Sequence, residues 1–183
     1  EPYRRQRQMC IRDRDEWVRK HGGMHMDYNG KLAITGKVNE QIVATMMRHK
    51  YFAKYPPKST NRSEFVEKLE HLEGLSLEDG AATATAFVAE SIAYSLLLYL
   101  PEIPKILIVC GGGAQNPTIL RFLRQRLPDM AIPTAAEEGF NTNALPAQAV
   151  AYLAARRLYC LPVSFPATTG VPEPMVCGEL CEP

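Results

Sequence analysis

Three consecutive glycines, Gly111, Gly112 and Gly113, stand just ahead of Asn116 in the stretch ILIVCGGGAQNPT that covers residues 106–118. Glycine has no Cβ, so backbone there can lie directly against a phosphate or a nucleoside, with free N–H groups pointing outward. Asn116 can both give and take hydrogen bonds at the start of a helix. On spacing alone the pattern is neither a Walker loop nor GxGxxG. A glycine turn that only permits tight packing remains the competing reading.

Pro57-Lys58-Ser59-Thr60 is a second cluster with chemistry in it. Lys58 can meet a phosphate, and Ser59 or Thr60 can bond a sugar hydroxyl. A loop ending in a helix cap accounts for the same residues equally well. Asp27 precedes Asn29-Gly30, an ordinary turn-forming combination, and the turn is the preferred reading. Cys177 and Cys181 form a C-x3-C pair, but His21, His25, His49 and His71 supply no further ligand pattern for zinc.

Elements must exist to hold these residues. Ile106, Leu107, Ile108 and Val109 read as a buried parallel strand, and Met130 to Thr134 as a second short one. Asn116 and Pro117 open a helix to about Leu127. Lys37 to Arg48 has helical spacing, and Tyr55-Pro56-Pro57 closes that region. Asn61 or Ser63 can cap a helix carrying Phe65, Val66, Leu69 and Leu72, which Gly74 ends. Ser76 and Asp79 resemble a capping box at the head of a long helix ending near Pro101, whose Ala and Thr content implies close packing. Pro146 to Leu158 is a helix of small and apolar residues expected to be largely buried, and the tail from Leu161 is mostly loop. Strand, helix, strand, helix predicts an α/β layer with a partly parallel sheet.

The bulk properties narrow the function classes. The 183 residues suit one domain or one lobe of a larger protein. Apolar content of 46% and charged content of 22% are those of a globular protein. A net charge of +1 gives no reason to expect nucleic acid or an anionic membrane as partner. No uninterrupted apolar run reaches the ~20 residues of a membrane span. Five scattered cysteines argue against a disulfide framework and suggest a reducing compartment. Residues 1–14, EPYRRQRQMCIRDR, hold five arginines without apolar periodicity. They read as non-native sequence rather than as a basic arm.

Four ordered blocks carry a resemblance. GKVNEQ, YFAKYPPKSTNRSEF, VCGGGAQNPTILRFL and LPVSFPATTGVPEPMVCGEL together resemble the second half of the anhydro-N-acetylmuramic acid kinases, from Asp15 to about Leu180. That family resembles the actin, hexokinase and heat-shock chaperone ATPases. The resemblance implies a ribonuclease-H-like α/β lobe, with a mixed, partly parallel sheet flanked by helices, spanning residues 15–183. It implies ATP and Mg2+ as cofactors, with Gly111, Gly112, Gly113 and Asn116 on the adenosine side. The implied reaction opens 1,6-anhydro-N-acetylmuramic acid with water and phosphorylates O6, a cytoplasmic step of bacterial cell-wall recycling. A homodimer of the full-length protein is also implied, with Lys58, Ser59 and Thr60 near the sugar.

The sequence departs from the family at Asn61, where glycine is usual. It departs again at Thr142-Asn143 and Pro146-Ala147, where Gly-Asp and Glu-Ala pairs stand in the family. The family's first phosphate loop and general-base aspartate are expected upstream of Asp15, so the 183 residues alone are expected to turn over no ATP. Two other classes compete. A nicotinamide-dependent oxidoreductase would want GxGxxG and an acidic residue ~20 positions later at a strand end. A non-catalytic remnant that binds only a nucleotide or a partner is favoured by Pro146.

Overall fold

The computed structural model describes residues 6–7, 10–59, 67–142 and 144–181. Helices dominate: α1 (Cys10–Gly22), α2 (Glu40–Met47), α3 (Lys50–Ala53), α4 (Leu77–Tyr99), α5 (Pro117–Arg126), α6 (Leu145–Leu158) and α7 (Pro166–Thr169). Single 3-10 turns at Tyr28–Gly30, Glu67–Leu72 and Gly112–Gln115 link them.

The core is built around α4. Its start is set locally, because the Ser76 hydroxyl accepts from the Asp79 amide at 3.1 Å. Asp79 does not return that bond as a capping box would. Its carboxylate instead accepts from the Lys37 amide at 2.7 Å, so the helix start is tied to the segment entering α2. Small residues let neighbours approach on several sides of α4: Ala81, Ala82, Ala84, Ala86, Ala89 and Ala93 are all buried. Helix α1 comes closest at Gly80. A Cβ there would stand 2.2 Å from the indole of Trp17, whose ring nitrogen donates to the Leu77 carbonyl. Thr83 and Thr85 are buried but satisfied: Thr83 accepts from the Asn39 amide and Thr85 donates to the Ala81 carbonyl. Helices α2 and α5 cover other faces of α4, contributing Val43, Met46, Ile119 and Leu123 to one continuous cluster.

Helix α4 corrects one sequence reading. Its 23 residues include a window of mean hydropathy 1.4, so by length and composition alone it could cross a membrane. Two-thirds of that window (67%) is buried inside the protein, which is how a core helix meets the same criterion.

The α/β lobe with a mixed, partly parallel sheet is not what forms. Among the described residues, β1 (Gln6–Arg7) and β2 (Lys58–Ser59) pair in parallel over two residues each. The segment expected as the central strand is extended, but it meets Met130–Thr134 only through isolated parallel bridges, Ile106 to Ala131 and Val109 to Thr134. Two causes are visible. Pro133 has no N–H to return to the Leu107 carbonyl, so the ladder is interrupted. On the far edge no second neighbour arrives among the described residues, and Ile106 and Ile108 stay exposed. A β-branched run encodes extension; a sheet needs partners as well.

Helix α6 corrects a second reading. It forms over the expected residues, with its proline in the first turn, but none of its side chains is buried. Val150, Tyr152 and Leu158 are all more than half exposed. The tail beyond it is mostly loop as expected, with α7 and one antiparallel bridge between Ser164 and Met175. The helix expected around Phe65 and Val66, with its caps Asn61 and Ser63, falls outside the described residues apart from Glu67–Leu72, where Leu69 and Leu72 join the core.

Candidate functional site

The glycine bend sits at the surface, at the head of α5. Gly111 has φ +76° and ψ −165°, a conformation open to glycine and strained for any side chain. Nothing lies within 4 Å of where a Cβ would stand at Gly111 or at Gly112. The Gly113 carbonyl accepts from the Asn116 amide and that of Gly111 from the Ala114 amide, closing the turn. Among the described residues no acceptor meets the amides of Gly111, Gly112 or Gly113. Gly113 is buried, so the bend is open at Gly111 and Gly112, where free donors stand next to the positive end of a ten-residue helix.

Asn116 holds that helix end in place. It is 4% exposed, and its Oδ1 accepts from the amides of Thr118 (3.0 Å) and Ile119 (3.1 Å). Its backbone is extended at φ −104°, the geometry of an N-cap, and Pro117 follows in the first turn. These two bonds fix the amide's orientation. The Nδ2 is left buried with no partner. Asn116 is thus the cap that positions the bend, rather than a group presented at its open surface.

Behind the cap lies the 27–33 turn. Asp27 is buried and both carboxylate oxygens are used, Oδ1 by the Leu32 amide and Oδ2 by the Ala33 amide. This is the turn-forming role preferred from the sequence. Thr118, fully buried, donates its hydroxyl to the Gly30 carbonyl at 3.0 Å. Sequence reasoning marked Gly30 only as part of a turn and missed its bond to Thr118. Their partnership spans 88 positions, and nothing local marks it.

Lys58 lies elsewhere, and in a different state from that of a surface phosphate ligand. It is 8% exposed, its ammonium donating to the Tyr51 carbonyl at 3.1 Å and sitting 4.0 Å from the Tyr99 ring centre and 4.7 Å from that of Tyr51. Tyr99 donates its own hydroxyl to the Phe52 carbonyl. The cation thereby ties the end of α3 to the end of α4 through carbonyls and ring faces. Burial pushes its pKa down to about 8. Among the described residues, no contact of Lys58 reaches the glycine bend. Ser59 contributes backbone to β2, while its side chain and the whole of Thr60 fall outside the described residues.

A cavity of about 310 Å³ opens at the far end of α5, lined by Glu90, Ala93, Tyr94, Leu97, Leu98 and Arg126. Its one cation is already held, since Arg126 bridges Glu40 (2.6 Å) and Glu90 (2.9 Å). Cys110, Cys160, Cys177 and Cys181 are free and exposed, and the described residues hold no cluster of three or more metal-ligating side chains.

Comparison with known proteins places the sequence in a family. Residues 13–182 match the anhydro-N-acetylmuramic acid kinase family. An anhydro-N-acetylmuramic acid kinase of Zymomonas mobilis is 44% identical over 166 residues, which is 91% of this chain and 44% of that relative. Its counterpart in Rhodopseudomonas palustris is 43% identical over 169 residues (92% and 46%), and that in Brucella anthropi 43% over 166 (91% and 44%). The chain therefore spans less than half the length of these relatives. With a match over nearly all its residues, the chain belongs to the anhydro-N-acetylmuramic acid kinase family.

Proposed function

We propose that residues 15–183 provide the adenosine side of an ATP-dependent kinase. Its reaction would open the anhydro ring of 1,6-anhydro-N-acetylmuramic acid with water and place the γ-phosphate on O6, in recycling of the bacterial cell wall. Cytoplasmic placement and a homodimer belong to the same proposal. The observation that carries it is the glycine bend: open at Gly111 and Gly112 where side chains would be, carrying free amides, and set at the start of a capped helix.

The residues present suit a nucleotide. Glycine amides can bond phosphate oxygens, and the helix terminus favours negative charge. ATP would supply the transferable phosphoryl group. This chain's own contribution is to bind and orient: the bend receives the nucleotide, and Asn116 and Pro117 hold the helix axis toward it. In-line phosphoryl transfer depends chiefly on such positioning and on charge stabilisation. The described residues offer no ligand cluster for Mg2+, so no step is assigned to it.

One observation favours a binding-only reading. Pro146 occupies the first turn of α6, where it has no side chain able to orient a water or a hydroxyl. A coupled assay of ADP release with the anhydro sugar tests that reading: turnover above a no-enzyme blank excludes it.

Nucleotide binding is tested by calorimetry with ADP and with NAD. ADP is expected to bind and NAD to give no heat. Gly112→Val fills space that holds no atom within 4 Å, so it blocks the ligand while sparing the fold. The ADP heat should vanish in that variant. Binding of NAD alone, or ADP binding unchanged by Gly112→Val, would overturn the assignment.

A further inference from the structure

We infer that Thr118 and Gly30 form a latch that sets the glycine bend, making Thr118 a positioning residue for the nucleotide. The inference rests on the nucleotide reading above and goes beyond it, since neither residue lies on the open surface of the bend. Four observations carry it. The Thr118 hydroxyl, wholly buried, donates to the Gly30 carbonyl at 3.0 Å. Gly30 has φ +67°, and a Cβ there would stand 2.5 Å from both Asn116 Oδ1 and Thr118 Oγ1. The turn that presents Gly30 is itself rigid, because both oxygens of buried Asp27 are bonded to Leu32 and Ala33 amides. Asn116, which the turn abuts, bonds Thr118 and Ile119 and stands at the end of the Gly112–Gln115 turn.

The chain of contacts is continuous from Asp27 to the bend. Asp27 fixes the turn, and the turn's Gly30 carbonyl fixes Thr118. Thr118 lies in the first turn of α5, so its position sets where that helix begins. Asn116 caps the same turn, and its backbone amide donates to the Gly113 carbonyl. A shift of Thr118 is thus a shift of the free amides that face the phosphates. Loss of the latch should loosen the bend while leaving α4 unaffected.

The hydroxyl can be removed cleanly. The Gly30 carbonyl also accepts from the Ile34 amide at 2.9 Å, so Thr118→Val does not leave it bare. Thr118→Val, Thr118→Ser and the wild-type chain are compared by amide hydrogen exchange without nucleotide, and by ADP titration. In Thr118→Val, exchange at Ala114 and Asn116 should rise about tenfold more than at Phe87 in α4, and Thr118→Ser should restore it. The ADP dissociation constant should rise about tenfold in Thr118→Val and recover in Thr118→Ser, in line with one lost hydrogen bond.

Exchange that rises by one common factor at the bend and in α4, or not at all at the bend, overturns the latch. Local loosening with unchanged ADP affinity overturns the positioning role. If the wild-type chain binds no ADP, the nucleotide reading fails, and the exchange measurement still decides the latch. Should Thr118→Val not fold, Thr118→Ala, which only removes atoms, takes its place in both measurements.

Discussion

Helices α5 and α6 both begin with a proline in the first turn, and they are built in opposite ways. Before Pro117 stands Asn116, extended at φ −104°, with its side chain folded back onto two amides. Before the first turn of α6 stands Ala144, helical at φ −87° and ψ −20°, with no side-chain cap. Five of the ten residues of α5 are buried; α6 buries none of its 14. Proline marks a helix start in both places because its fixed φ suits that position and its missing N–H costs nothing there. What separates a start that positions a site from one that does not is the second tier of contacts: the cap, and the turn the cap leans on.

Breaking that second tier should cost most at Gly30. Gly30→Ala puts a methyl 2.5 Å from Asn116 Oδ1 and Thr118 Oγ1 and strains a left-handed backbone. We expect a loss of about 2–4 kcal/mol, from overpacking plus backbone strain. Urea unfolding followed by far-ultraviolet circular dichroism measures it, and a loss below about 0.5 kcal/mol would show that the turn yields freely.

Removing the cap itself should come next. Asn116→Ala deprives the Thr118 and Ile119 amides of their acceptor. Caps of this kind contribute about 0.5–2 kcal/mol, and burial of these amides places Asn116 in the upper half of that range. The same denaturation experiment reads it. A neutral substitution would mean that water replaces Asn116 at the helix end, and that the two helix starts differ less than their contacts imply.

Lys58 offers a pH-dependent contrast inside the anchored part of the molecule. Burial lowers its pKa to about 8 in the folded protein, against 10.5 for the free side chain. Between those values the unfolded chain holds a proton that the folded chain has shed. Stability contributed by Lys58 therefore rises as pH increases through that window and is lost as pH falls through about 8. The two ring faces favour the cation and soften the slope. Urea midpoints at pH 7, 8, 9 and 10 should rise more in the wild type than in Lys58→Met. Equal slopes in the two proteins would remove Lys58 as the titrating group.

The sequence was legible where the causes are local. Asn116-Pro117 announces the start of α5 because cap and proline act within one turn, and Ser76 announces α4 for the same reason. Asp27 reads as a turn former because its partners are five and six positions away. What failed depended on distant partners. The run 106–109 encodes extension, yet its sheet was absent because pairing is decided by neighbours and by Pro133. The apolar side chains of α6 encode an amphipathic helix but not whether anything covers it. The surroundings of Lys58 were likewise hidden, since Tyr51 and Tyr99, whose rings it faces, lie seven and 41 positions away. At the head of α5 the glycine turn and the Asn116 cap were readable, and the Thr118–Gly30 hydrogen bond behind them was not.

The smallest effect should come from trying to give α6 the cap it lacks. Ala144→Ser supplies a hydroxyl at the right position in sequence. The backbone there is helical rather than extended, so the hydroxyl cannot fold back onto the next amides as Asn116 does. With no buried face to hold, firmer helix ends add little to global stability. We expect a change within about 0.5 kcal/mol, against the larger loss for Asn116→Ala, with both measured under the same urea conditions. Stabilisation of about 1 kcal/mol or more would show that α6 lacks only a cap. A helix start would then be governed by its own few residues rather than by what packs behind it.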